Sequence, residues 1–569
     1  MYPSGRAATF FYTASPHATV AEDGATVCVV FGRVRVGDVS LSAEDIIQQE
    51  WITPLGVQPE AIGGNAVVIC FSKCAPRCLV YRNMLAVPQF NYMTDGGNFL
   101  GAENLGLLIG LLDMPQPSEE ALLLHMMFRY TPGAQSYVRD VYRLLPGEAL
   151  TWDGGKLRID LRRDLRALFD PDDQHPVNLA TVRGFFEQVK ALLCAYVDDA
   201  AHGAATLLSG GVDSTLMQAA INGCSSAARP FPTFSFALQT PAFLGEIDYA
   251  REAALVLDTD HTFVSVSPEE YADLVVQTTE ILGHPVSHEW LPCTPRLLAH
   301  VAAHRGEIRY LFNAGAADGA HGLQLSLETG RAMRYRYWPV SLLRLAGVVL
   351  APILQSKSYG ARVAADTLSA LRDIESPRHP MNALSLFTDW ELVRRCFGSA
   401  AVRQALARRR ELQIRYLDSD FLLEQVHAMD LVTDAVDAAG AWRQIGLFYG
   451  NEVIFPYADE VLLRASFSFD PRQRFYLKGR TKPVLKMALE AETNSEVSRK
   501  PKCGGGFETD LMGWMRDGVL HEMVRAIERP AFMECADFEQ KVKQPDWFTW
   551  NLLTLDIFNK RVLARASAG

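Results

Sequence analysis

Leu207-Leu208-Ser209-Gly210-Gly211-Val212-Asp213-Ser214 joins a short apolar run, Ala205–Leu208, to a helical pattern from about Ser214 to Ile221. Two adjacent glycines let the backbone turn sharply and come close to a ligand. Successive backbone N–H groups then point into one concavity, which binds anions. The helix that follows adds its positive end. Ser209 and Ser214 supply hydroxyl donors. Asp213 would repel an anion unless a cation is also present, and Mg²⁺ bridging phosphate oxygens and a carboxylate resolves that conflict. The loop lacks the Lys and the spacing of GxxxxGK[ST], which excludes a Walker loop. The alternative is a chance glycine-rich turn between a strand and a helix.

Around this loop the chain alternates helix and strand. Leu179–Asp198 reads as a long helix. Thr233–Leu238, His261–Val266 and Ile308–Asn313 read as strands, with a helix over Glu246–Leu257 between the first two. Such alternation predicts an α/β fold with a parallel sheet covered by helices on both faces. From about 324 to 450 the pattern is mostly helical. Before residue 165 the chain reads as β-rich. Thr26–Val36 and Ala66–Tyr81 are rich in Val and Ile, and Asp95-Gly96-Gly97 and Asp153-Gly154-Gly155 mark two hairpins. Glu119–Arg129 has helical apolar spacing. Pro171 and Pro176 fall at the change of pattern, giving expected domains over 1–170 and 171–569.

The chain has 569 residues, 49% hydrophobic and 21% charged, with a formal charge of −11. At roughly 100–200 residues per domain, this length suggests two to four domains. The composition excludes disorder, collagen and coiled coil as its main character. A net negative charge argues against general nucleic-acid binding, which needs a basic face. Ten cysteines in a chain this long do not make a disulfide scaffold. Cys70, Cys74 and Cys78 stand four apart, a spacing that matches neither paired CxxC zinc sites nor a common iron–sulfur run. They read as ordinary thiols in a reducing cytosol. Met1–Val20 lacks the basic start and apolar core of a signal peptide. The longest apolar stretch, Val340–Leu354, contains Arg344 and Pro352 and falls short of the ~20 residues of a membrane span. A cytoplasmic protein with no membrane span is expected.

The loop matches SGGxDS, the pyrophosphate loop of the N-type ATP pyrophosphatases, and the surrounding order resembles the asparagine synthetase family. Phe234-Ser235-Phe236 sits where that family has the strand that holds adenine through its backbone. Glu246-Ile-Asp-Tyr-Ala250 and Asp258-Thr-Asp-His261 match the next helix and the start of the next strand. Phe312-Asn-Ala-Gly-Ala-Ala-Asp318-Gly-Ala-His-Gly322 lies where the family carries GEGADELFGG. The resemblance makes Asp213 and Asp318 the Mg²⁺ carboxylates. It makes Leu207, Ser209, Gly210, Gly211, Asp213, Ser214, Ser235, Phe236 and Gly315 the ATP-binding set. The family's Glu after the Asp is Gly319 here, and the residue that is Tyr in β-lactam synthetases is Gly315. Gly450-Asn-Glu452-Val-Ile-Phe-Pro456-Tyr-Ala-Asp459 is similar to GxEvRxPFLD and puts Glu452 on the family's general base. The bland alternative for Glu452 is a residue on a helix surface. Thr481-Lys482 follows. In Arg499-Lys-Pro-Lys502-Cys-Gly-Gly-Gly-Phe507, Lys502 fits the late Lys that contacts phosphate and developing charge, with Lys500 as the other match.

The resemblance also implies a degenerate glutaminase-like α+β domain at the N-terminus. Tyr81–Glu103 resembles its hairpins, and Val141-Tyr-Arg-Leu-Leu-Pro-Gly-Glu148 resembles the family's "RLPPG". A working glutaminase uses an N-terminal Cys, whereas Tyr2 follows Met1 and Cys28 is the nearest cysteine. A Tyr cannot form the thioester that releases ammonia. The resemblance therefore implies an ATP- and Mg²⁺-dependent amide synthetase that adenylates a carboxylate, releases pyrophosphate and AMP, and uses an amine other than that of glutamine. The macrolactam synthetases of lasso peptides are the favoured group. Their substrate would be a leader-free core peptide, and a leader peptidase and a leader-binding protein would be partners. Gly315 and Gly319 are expected to leave space for a large substrate. Arg331, Arg334, Tyr335, Arg336, Tyr337 and Trp338, followed by Val340–Leu354, suggest a surface for a peptide or partner enzyme, or else an amphipathic helix buried in the domain. The rival readings are a β-lactam-type or asparagine-type small-molecule synthetase and a non-catalytic nucleotide-binding homologue. Acceptor residue, ring size, oligomeric state and the choice between Lys500 and Lys502 stay open at this level.

Overall fold

The computed structural model describes residues 18–36, 39–54, 56–58, 62–95, 97–169, 172, 174–200, 203–322, 338–354, 388–419, 421–493 and 506–566. The N-terminal part is built from β1 (Ala18–Glu22), β2 (Thr26–Val36), β3 (Val39–Leu41), β4 (Gly63–Ser72), β5 (Arg77–Arg82), β6 (Asn91–Asp95), β7 (Asn98–Ala102), β8 (Glu148–Asp153) and β9 (Lys156–Leu161). Seven of these strands form an antiparallel sheet, ordered β1-β2-β4-β5-β8-β9 with β3 on β2. Both expected hairpins are present, β6–β7 with Asp95 opposite Asn98 and β8–β9 with Asp153 opposite Lys156.

Period-2 alternation sends β2 in two directions. Val27, Val29 and Phe31 face one core with Phe90, Tyr92 and Phe99. Cys28, Val30 and Val34 face another, closed by the helix Ala43–Gln48. Cys70 and Cys78 are buried and Cys74 is exposed, all three as free thiols. Glu119–Phe128 (α1) matches the helical spacing, starting at the Ser118 cap and ending where Arg129 turns left-handed at φ 71°.

The second part holds a parallel sheet of β10 (Ala204–Leu207), β11 (Phe231–Leu238), β12 (Thr259–Val266), β13 (Tyr310–Phe312) and β14 (Glu452–Ile454). Its order is β12-β11-β10-β13-β14, so β10 is central and the strand order reverses beside it. In such sheets the ligand crevice lies outside the strand C-termini at the reversal. Alternation again splits the layers. Ala205, Leu311 and Val453 face one core, containing α5 (Pro268–Leu282), α6 (Cys293–His304) and α10 (Val436–Phe448). Ala204, Phe312 and Ile454 face the other, containing α2 (Leu179–Asp199), α3 (Val212–Asn222) and α12 (Pro483–Thr493).

The remaining helices used below are α4 (Leu244–Val256), α7 (Ala317–His321), α8 (Val340–Leu354), α9 (Leu422–Asp430) and α11 (Glu460–Phe467). A disulfide joins Cys194 of α2 to Cys224 just after α3, a pairing the sequence did not suggest. Helix α8 forms over the expected residues, but Leu342, Leu345, Val348 and Ile353 are exposed, which removes the buried-amphipathic alternative. Residues 331–337, the basic aromatic run, lie outside the described residues. Among the described residues no helix is long and apolar enough to cross a membrane.

Candidate active site

The glycine loop closes β10 and opens α3. Gly210 has φ +74°, and a Cβ there would fall 2.2 Å from the Tyr249 carbonyl carbon on α4. Glycine is therefore required twice, by conformation and by contact. Gly211 caps α3 with no side-chain hydrogen bond, so the first N–H groups of the helix face the loop's concavity without an internal acceptor. The two serines lock the turn. The Ser209 amide donates to Ser214 Oγ at 3.2 Å, and the two hydroxyls lie 3.1 Å apart. Thr215 Oγ1 donates to the Gly211 carbonyl at 2.7 Å.

The loop forms one wall of a cavity of about 370 Å³, a volume typical of a small-molecule site. Leu207, Ser209, Asp213, Ser214, Ser235, Phe236, Gly315 and Asp318 line it, so three separate sequence motifs meet there. Gly210 and Gly211 shape the loop behind this wall. Phe236 and Phe243 stack with centroids 5.6 Å apart, giving a flat apolar face suited to a planar ring. His261 bridges Thr233 Oγ1 at 2.8 Å and Ser235 Oγ at 3.0 Å. Burial pulls its pKa down to about 4, so it fixes the Ser235 hydroxyl as a neutral ring. Trp290 and Trp442 close the far side.

Asp213 and Asp318 converge although 105 positions separate them in sequence. Lys482 joins them: its Nζ donates to Asp213 Oδ2 at 2.6 Å and to Asp318 Oδ1. The lysine side chain is only 7% exposed, while Asp213 and Asp318 are 20% and 37% exposed. Burial opposes the ammonium, but the two carboxylates outweigh it and raise the pKa above the ordinary lysine value. Asp213 Oδ1 is buried and makes no hydrogen bond. Two converging carboxylates with a spare buried oxygen suit Mg²⁺, which takes one or two carboxylates and completes its shell with phosphate and water. Lys482 has no assigned role in the sequence reading. It stands between the short hairpin Tyr476–Thr481 and the start of α12.

Other expectations need correction. Gly315 and Gly319 do not leave space. A Cβ at Gly315 would lie 2.9 Å from the Phe455 ring, and one at Gly319 would lie 2.6 Å from Leu431. Glu452 is not on a helix surface, because it starts β14 and is 7% exposed. Nor is it among the residues lining the cavity. It pairs with Tyr310 at the N-terminal end of the sheet, and its Oε1 lies 3.3 Å from Arg443 Nη1. Arg443 also holds Glu103 of the N-terminal part at 2.6 Å. Lys500 and Lys502 lie outside the described residues.

A larger cavity, about 780 Å³, lies where the two parts meet, lined by Arg35, Gly63 and residues of α2 and α11. Of the motif residues its lining holds Asp459 and none of the glycine loop, the Phe234–Phe236 strand or the Asp318 motif, so the smaller cavity is the candidate active site. Within its lining, burial lifts the Glu460 pKa to about 7 against the pull of Arg163.

A search of curated proteins returns no match. A family model described as Asparagine synthase matches residues 197–545, more than half of the chain, and spans the glycine loop, both aspartates and Lys482. The chain belongs to the asparagine synthase family of ATP-dependent amide-forming synthetases.

Proposed function

We propose that this protein adenylates a carboxylate with ATP and passes the acyl group to an amine, releasing pyrophosphate and AMP. One observation carries the reading: Asp213 and Asp318, distant in sequence, share one cation beside the glycine loop. ATP fits with its ring against Phe236 and Phe243 and its β- and γ-phosphates in the Ser209–Ser214 concavity. Asp213 and Asp318 would hold Mg²⁺, which supplies charge neutralisation between the incoming carboxylate and the triphosphate. Lys482 is placed to meet the charge that grows on the departing pyrophosphate. The apolar walls around Trp290 and Trp442 exclude water, which would otherwise hydrolyse the acyl-adenylate.

The finer reading is a macrolactam synthetase that joins an Asp or Glu side chain of a leader-free core peptide to its N-terminal amine. The exposed apolar face of α8 supports it as a landing surface for a peptide or a partner enzyme. The cavity volume favours a second reading: about 370 Å³ holds a nucleotide and little more, as a β-lactam-type or asparagine-type enzyme would need. A peptide would have to lie across the open side of the cavity. In the peptide reading, the first part is a degenerate glutaminase-like domain kept for its contacts with α2 and α11. The test is incubation with ATP, Mg²⁺ and a linear peptide carrying a free N-terminus and an internal Asp. Loss of one water from the peptide together with AMP supports the finer reading. Turnover of small β-amino acids or aspartate alone supports the second, and ADP as the nucleotide product would sink both.

A further inference from the structure

The larger cavity, about 780 Å³, is of a size that holds a small molecule and has no part in the chemistry above. Both parts of the chain build it. Arg35 of β2, Gly63 of β4 and Arg163 after β9 come from the first part, and α2 and α11 supply the facing wall. Val461 and Arg464 are exposed, so the cavity opens to solvent.

Its lining holds three guanidinium groups, those of Arg35, Arg163 and Arg464, and two carboxyl groups, those of Asp459 and Glu460. Asp459 is already satisfied within the protein. Its Oδ1 accepts from the Val461 N–H at 2.9 Å and its Oδ2 from the Tyr196 hydroxyl at 2.7 Å. Glu460 is only half satisfied. Its Oε2 lies 2.9 Å from Arg163 Nη2, but its Oε1 is buried and makes no hydrogen bond, on a residue 8% exposed. A Cβ on Gly63 would lie 3.8 Å from Oε2, which puts this carboxyl at the seam between the two parts. Buried polar atoms are rarely left without a partner, because their desolvation is costly. A molecule in the cavity would supply one.

The sign of that molecule's charge follows from the lining. Burial lifts the Glu460 pKa to about 7, against Arg163 and Arg464, while Asp459 pushes the same way as burial. Arg35 and His175 are the other charged or titratable groups facing the cavity. Arg163 keeps Oε2 as an acceptor, so the acid proton resides on Oε1, which then donates. With Glu460 neutral, three guanidinium charges face the single charge of Asp459. Such a surplus of forked donors suits the planar or tetrahedral oxygens of an anion.

We propose that the cavity between the two parts is a binding site for a small molecule bearing a phosphate or carboxylate group: Arg35, Arg163 and Arg464 meet its charge, and Glu460 Oε1 donates a hydrogen bond to it. An anion bound there holds Glu460 in its protonated form, so binding above pH 7 takes up a proton. The site is independent of the adenylation reading, since neither ATP nor a peptide enters its test.

Calorimetric titration of the full chain with two probes tests it. Sulfate represents the tetrahedral anions and malonate the carboxylates, and both stay fully ionised above pH 7. At least one should bind wild type, and the tighter of the two identifies the class. Its affinity should fall at least tenfold between pH 7 and pH 9, as the competent, protonated form of Glu460 becomes scarce. In two buffers of different ionisation enthalpy, nearly one proton should be taken up per anion at pH 8. Glu460→Gln, whose amide donates at any pH, should bind with an affinity that is flat over this range and take up no proton. Arg464→Gln removes an exposed group and should fold normally, yet weaken binding by about tenfold or more. Failure of both probes to bind overturns the site. So does wild-type binding that neither changes with pH nor takes up a proton. Equal affinity in Arg464→Gln would place the anion elsewhere, the glycine loop included, and overturns it as well.

Discussion

Replacing Lys482 with Met tests the charge arrangement at the heart of the site. The substitution keeps a long apolar stem but leaves Asp213 and Asp318 facing each other. Breaking a buried ion pair by removing one partner costs about 3–5 kcal/mol. Asp318 is 37% exposed and Asp213 20%, so water relaxes part of that penalty. The expected loss of stability is about 1–3 kcal/mol. Metal binding should change in the opposite sense. A divalent ion 4 Å from an ammonium feels about 8 kcal/mol of repulsion at an effective dielectric of 20, twice the unit-charge figure. In the absence of nucleotide, wild type should therefore gain little thermal stability from Mg²⁺, whereas Lys482→Met should gain enough to recover most of its loss. Pyrophosphate formation by the variant should fall by about 10²–10³-fold, the usual effect of deleting one group that meets transition-state charge. Thermal unfolding with and without Mg²⁺, followed by a pyrophosphate assay, reads all three. Identical melting and an identical Mg²⁺ response in both proteins would refute the reasoning.

Other positions give independent checks. Gly210→Ala forces a side chain into the Tyr249 backbone at a left-handed φ, so ATP affinity measured by calorimetry should fall at least tenfold, by about 1.4 kcal/mol or more. Glu452→Gln keeps an acceptor for Arg443, so stability should drop by about 1 kcal/mol and turnover by less than about tenfold. A loss of about 10²–10⁴ would support the base role that the family resemblance gives Glu452. Glu460 has its folded pKa raised from 4.5 to about 7. The stability it contributes is complete below pH 4.5 and lost as pH rises through 7, and Arg163 moderates the size. Glu460→Gln should therefore gain about 1–3 kcal/mol on wild type between pH 5 and 8 in denaturant unfolding. A difference between the two proteins that does not change with pH would contradict the buried-acid account.

The elements near the site were legible because local rules and tertiary structure agree there. Ala205–Leu208 is short, apolar and followed by two glycines, and it becomes β10 and the loop it was expected to be. Asp213 and Asp318 were legible through their motifs, but their meeting was not, since it needs β10 and β13 side by side. Lys482 was passed over because nothing local marks it. Its value comes from a fold that carries it 269 positions back to Asp213. Gly315 and Gly319 misled for a related reason. A glycine in sequence suggests room, yet Phe455 and Leu431 occupy it from elements far along the chain. Glu452 matched its motif while its partner Arg443, on another element, was invisible.

The most direct test follows oxygen. A carboxylate labelled with ¹⁸O in both oxygens is supplied with ATP and Mg²⁺, and the nucleotide product is weighed. If the carboxylate attacks the α-phosphorus held between the glycine loop and the two aspartates, AMP carries one ¹⁸O and pyrophosphate carries none. Label appearing in inorganic phosphate beside ADP would place the attack at the γ-phosphorus and contradict the account.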